Sequence, residues 1–126
     1  MKSDSSWTSE VVMSAALAAV DALGKDADVF YVGDSLGVTE WFVVATGSNH
    51  RQVRSIVEKV EEQVAISHDI KPLRIEGKTA GEWVLMDFGD FVVHVFIEEA
   101  RDFYDLSRLW SDMPRMELAS GTTVEP

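Results

Sequence analysis

The chain has no cysteine among its 126 residues. Disulfides, thiolate nucleophiles and cysteine-based zinc or iron–sulfur centres are therefore excluded, and nothing demands an oxidising compartment. Basic residues are scarce too: 11 Lys and Arg stand against 22 Asp and Glu, a formal net charge of -11. Phosphate backbones and anionic membranes are bound mainly through Lys and Arg, so direct DNA binding and membrane binding are not expected. A basic protein surface suits this charge better. No apolar run approaches the ~20 residues that a spanning helix needs. The opening MKSDSSWTSE has neither the basic-then-apolar pattern of a signal peptide nor the Arg-rich pattern of a transit peptide. A cytoplasmic protein is the simplest expectation.

Signatures of catalysis are missing as well. His50, His68 and His94 show no HxxxH or HxH spacing, so neither a dedicated metal site nor a cofactor is expected. Ser48, His94 and Asp87 make a triad on paper, but no Gly-x-Ser-x-Gly elbow surrounds the serine. Gly47-Ser48, placed after a strand and before a helix, is similar to the phosphate-side turn of nucleotidyltransferases. Those enzymes also need paired carboxylates on an adjacent strand to hold divalent metal. No DxD or DxE stands on a following strand here. A small metal-dependent nucleotidyltransferase or phosphotransferase using Ser48 and Asp87 is the alternative reading.

What is present is enough for one core: 46% hydrophobic and 26% charged residues, in a length that suits a single domain. Residues 1–7 read as a flexible polar lead-in, 8–111 as the domain, and 112–126 as a disordered tail. Helical spacing of apolar residues predicts helices over 8–23, 51–67 and 99–110. The middle helix has Ser48 or Asn49 as its N-cap and Val53, Ile56, Val57, Val60 and Val64 as its buried stripe. The last helix is expected to pack through Phe103, Leu106 and Trp110. Strands are expected at 29–32, 41–45, 73–75, 83–88 and 91–97. Residues 41–45 are apolar throughout, which suits a strand buried on both faces. The strand–helix–strand order around residues 41–75 favours a right-handed parallel crossover. The sum is an α/β (α+β) protein of order αββαβββα: a single mixed sheet of about five strands with helices packed on it.

The most informative stretch is the hairpin. A two-residue Gly89-Asp90 turn sets Phe88 opposite Phe91, Asp87 opposite Val92 and Leu85 opposite His94. Alternation then gives one wholly apolar face: Val84, Met86, Phe88, Phe91, Val93, Val95 and Ile97. The other face carries Trp83, Leu85, Asp87, Val92, His94 and Phe96. Polar groups among apolar strands need partners, since burying them alone costs a few kcal/mol. Taken singly, His94 has a plain explanation as a core histidine bonded to Asp87, and Trp83 as a cover for the sheet edge. Together they read as an interaction surface, because Trp dominates binding energy at protein interfaces. The acidic runs Glu58-Glu61-Glu62 and Glu98-Glu99-Asp102-Asp105 are solvated helix faces that would also steer a basic partner.

Glu76-Gly77, Trp83-Val84-Leu85, Asp87, Gly89-Asp90, Val92-Val93-His94, Arg101, Phe103-Tyr104, Leu106 and Leu109-Trp110 form a pattern. It closely resembles the signature of the ribosomal silencing factor S family, also called Iojap. The block 39–48, TEWFVVATGS, followed by Arg51-Gln52-Val53, resembles the family's other recurrent segment. The likeness runs from about residue 28 to residue 110. Two positions depart from it: Glu40 stands where the family usually has Asp, and Tyr31 where an acid often ends the first strand. The resemblance implies a nucleotidyltransferase-like scaffold without catalysis. It implies binding to ribosomal protein uL14 on the large ribosomal subunit, which blocks joining of the small subunit and damps translation when nutrients run short. It also implies a homodimer when free. On this basis the expected partner-binding residues are Trp83, Asp87 and His94 from the hairpin and Tyr104, Leu109 and Trp110 from the last helix. Arg101 is expected to pair with a nearby acid and so orient that helix.

Overall fold

The computed structural model of the chain describes residues 5–22, 27–33, 39–103, 108 and 115–116. Helix α1 (Ser5–Asp21) is followed by strands β1 (Ala27–Tyr31) and β2 (Trp41–Gly47). Helix α2 (His50–His68), strands β3 (Arg74–Glu76), β4 (Trp83–Asp87) and β5 (Phe91–Ile97), and the short helix α3 (Glu98–Phe103) come next. A two-residue strand β6 (Arg115–Met116) ends the described chain. One mixed sheet holds all six strands in the order β3-β4-β5-β2-β1-β6.

The centre of that sheet goes to the most apolar strands. β2 and β5 run parallel, Trp41 beside Phe91 through Gly47 beside Ile97, and nearly all of both is buried. β4 pairs antiparallel with β5 in the register that the Gly89-Asp90 turn predicts: Leu85 opposite His94, Asp87 opposite Val92. Of the two turn residues only Gly89 has positive φ, 92°, as a type II′ turn requires of its first position.

β3 differs from expectation. Its direction is parallel to β2, but β5 and β4 lie between them, and β3 pairs with β4 alone. Arg74 and Glu76 are exposed, and a short charged strand belongs at an edge, where its unpaired backbone meets water. Residues 115 and 116 also depart from the expected tail, since they add a strand to β1, Val29 beside Met116.

Helices α1 and α2 cover one face of the sheet. From α1, Val11, Val12, Ala15, Ala16 and Ala19 are fully buried, the helix packing on α2 and on strands β1 and β2, while α2 covers the apolar hairpin face. Each fully buried Val contributes about 1.5–3 kcal/mol relative to exposure. The buried stripe of α2 is Val53, Ile56, Val57, Val60 and Val64, as its spacing requires. Asn49 caps α2, its Oδ1 accepting from Gln52 N–H at 2.8 Å, while Gln52 Oε1 accepts from Ser48 N–H at 2.6 Å. At the other end Asp69 adopts a left-handed conformation and returns its N–H to the Ala65 carbonyl at 2.9 Å.

Candidate partner-binding face

The sheet face turned away from α1 and α2 carries the polar and aromatic residues of interest. Register and alternation place there Trp83, Leu85 and Asp87 of β4, Val92, His94 and Phe96 of β5, Phe42, Val44 and Thr46 of β2, and Asp28 and Phe30 of β1. Phe30, Val32, Val44 and Phe96 form a second, smaller buried cluster with Phe42 against it.

On this floor stands Trp83, which is 41% exposed. Its ring lies 4.9 Å from that of Phe96, and its Nε1–H donates to His94 Nδ1 at 3.1 Å. His94 itself is only 5% exposed. Its imidazole meets Phe42 edge to face at 4.6 Å and lies parallel to Phe96 at 6.0 Å. An indole N–H can only donate, so His94 Nδ1 is the accepting nitrogen and the ring hydrogen sits on Nε2. Burial lowers the His94 pKa from 6.5 to about 4, which keeps the ring neutral at ordinary pH.

The expected Asp87–His94 pair is not made. Asp87 Oδ1 accepts from Gly89 N–H at 2.9 Å, and its Oδ2 lies 3.6 Å from Arg74 Nε. Arg74 stands directly opposite Asp87 in the register. A carboxylate beside a cation and a turn N–H gains more than it would from a buried neutral imidazole. Trp83 and His94 are therefore brought together, while Asp87 secures the turn and the sheet edge some four residues further along. Arg101 meets its expectation: Nη1 donates to Thr46 Oγ1 at 2.6 Å, and Nη2 lies 3.6 Å from Asp28 Oδ2. Both side chains of this ion pair are less than one-fifth exposed (18% and 16%). It fastens α3 to β1 and β2. Tyr104, Leu109 and Trp110, with the packing expected of Phe103 and Leu106, lie outside the described residues.

The geometry also bears on chemistry. Ser48 follows Gly47, which pairs with Ile97, whereas Asp87 pairs with Val92. Five residues of strand, roughly 17 Å, therefore separate their levels in the sheet. Neither the Ser48–His94–Asp87 triad nor a Ser48–Asp87 metal pair is assembled. The three histidines serve three places: His50 Nδ1 is 3.0 Å from the Ala80 carbonyl, His68 Nε2 bonds Ser14 Oγ at 2.9 Å, and His94 holds Trp83. Among the described residues no group of three His, Asp or Glu side chains could hold a metal ion, and no helix is long and apolar enough to cross a membrane. An open cleft of about 290 Å³ lies between α1 and α2, on the side remote from Trp83. The Lys59–Asp21 ion pair, 3.4 Å, borders it.

Two features of the site were not legible in the sequence. The partner of Asp87 comes from β3, whose place in the sheet no local pattern marks. Phe42, which flanks His94, is signalled only by the alternation of β2, once the parallel pairing with β5 is known.

Comparison with known proteins places these features in a family. The sequence pattern of the family described as "Ribosomal silencing factor during starvation" matches residues 5–126. A "Ribosomal silencing factor RsfS" of Halalkalibacterium halodurans is 38% identical over 81 residues, covering 64% of this chain and 68% of the relative. The mouse protein "Mitochondrial assembly of ribosomal large subunit protein 1" is 31% identical over 90 residues, 69% of this chain but 39% of that longer protein. A crystal structure of a Chromobacterium violaceum protein is similar at a TM-score of 0.76 and 33% identity, covering 90% of this chain and 92% of the other.

Proposed function

We propose, on the premise that this chain belongs to the ribosomal silencing factor family, that it binds ribosomal protein uL14 on the large ribosomal subunit. There its bulk excludes the small subunit and represses translation under nutrient limitation. The observation that carries this reading is Trp83, an indole 41% exposed on the sheet face that the two long helices leave uncovered. A large aromatic ring of this kind, seated on an apolar floor, suits the centre of a protein interface. Trp83, Asp87 and His94, with Tyr104, Leu109 and Trp110, make up the proposed docking set. The net charge of -11 favours a basic ribosomal protein over rRNA as the main contact. The mouse relative's name, with its reference to the large subunit, supports the same side of the ribosome.

Blocking is steric on this account and needs neither catalysis nor a cofactor. The protein acts in the cytoplasm and is a homodimer when free. Light scattering from purified subunits tests the reading. Adding the chain to large subunits before small ones is expected to suppress the rise that marks joining. Undiminished joining at saturating protein, or a clear rise in thermal stability with Mg²⁺ and a nucleotide, contradicts it.

A further inference from the structure

A side chain can serve a docking face without touching the partner. His94 is 5% exposed and so offers almost no surface of its own to an incoming protein. Trp83, by contrast, is 41% exposed and stands on a strand near the end of the hairpin. An indole so exposed has several staggered settings open to it, and each would present a different edge to solvent. What selects one is visible: Nε1–H is tied to His94 Nδ1 at 3.1 Å while the ring rests on Phe96. The tie is itself rigid, because the imidazole is set between Phe42 and Phe96 at 4.6 and 6.0 Å.

We propose that His94 is a positioning residue for the docking face, its Nδ1 holding the Trp83 indole in the setting that a protein partner meets. This rests on the reading of Trp83 as a docking residue and assigns His94 a role other than contact. The physical gain is preorganisation. An aromatic side chain already fixed when free loses less freedom on binding, and that saving appears directly in affinity. Asp87 has no part in it, since its carboxylate is turned to Gly89 and Arg74.

Two variants separate positioning from packing. His94→Phe keeps the ring and its contacts with Phe42 and Phe96 but removes the acceptor. His94→Asn loses ring volume but puts a carbonyl oxygen close to where Nδ1 stood. Affinity for purified large subunits is expected to fall roughly three- to tenfold in His94→Phe, although this variant is the more stable of the two. In His94→Asn it should stay nearer the unaltered protein. If affinity instead follows stability, with His94→Phe binding normally and His94→Asn poorly, the role is packing alone and the proposal is overturned.

Trp83→Ala in the same assay tests the underlying reading separately. Normal binding by Trp83→Ala defeats the docking site itself. Loss in Trp83→Ala with full binding by His94→Phe defeats only the positioning role. The unaltered protein supplies a check that needs no variant. Nitrogen-15 NMR is expected to show a scalar coupling through the hydrogen bond between Trp83 Nε1 and a lone-pair-bearing His94 Nδ1. Absence of that coupling, with protonation found at Nδ1, overturns the proposal.

Discussion

His94 gives the protein a stability profile in pH as well as a grip on Trp83. Unfolded, its ring titrates near 6.5; folded, burial holds it at about 4. Between those values the unfolded chain carries a proton that the folded chain does not, so stability rises with pH across that window. The contribution is complete above 6.5 and drains away as pH falls from 6.5 toward 4. At ~1.4 kcal/mol per unit the loss amounts to roughly 3 kcal/mol. Urea midpoints followed down this window should drop for the unaltered protein and fall less for His94→Phe; parallel declines would count against it. The pairing of Trp83 with His94 could not be read from sequence, because it depends on how an indole leans between strands. Both residues were marked by a simpler fact: they are polar-tipped side chains within apolar strands. Asp87 carried the same mark but turned to Arg74, a partner that no spacing within the hairpin announces.

Strands and helices were legible where a period and a stop signal coincided. The hairpin register followed from Gly-Asp and strict alternation, and the α2 stripe from its 3.6-residue spacing. β3 and β6 were harder, since three residues and two residues are too short to show a period. The sheet order was equally hidden: β5 rather than β3 joins β2, because a seven-residue strand with six residues buried outcompetes a three-residue strand with two exposed for the centre. Two variants probe individual elements. Asn49→Ala removes the cap that Gln52 N–H uses and should cost about 1 kcal/mol, seen as a lower urea midpoint at unchanged slope. Arg101→Ala severs the tie from α3 to Thr46 and Asp28. It should speed amide exchange across Glu98–Phe103 while leaving α2 protected, at an overall cost of roughly 1–3 kcal/mol. Gly77, with φ of 82°, has no room for a side chain either: a Cβ there would strike the Trp83 carbonyl oxygen. The approach to Trp83 is thus fixed by backbone as well as by His94.

Across the whole fold, the proposed function rests on an asymmetry between the two faces of one sheet. The apolar face is spent on α1 and α2, which supplies the core. The opposite face keeps a small cluster around Phe96, fastens α3 through Arg101, and leaves Trp83 accessible. Charge acts at longer range: a domain at -11 approaching a basic ribosomal protein should associate more slowly as salt rises, with dissociation changing little. Stopped-flow association that is indifferent to ionic strength would remove electrostatic steering from the account. Everything else turns on whether Trp83 meets the large subunit. The direct measurement is the affinity of Trp83→Ala for isolated large subunits, read beside its urea midpoint. A more than tenfold loss, about 2 kcal/mol or more, with the fold retained is the expected result. Unchanged affinity, or a chain that no longer folds, would contradict it.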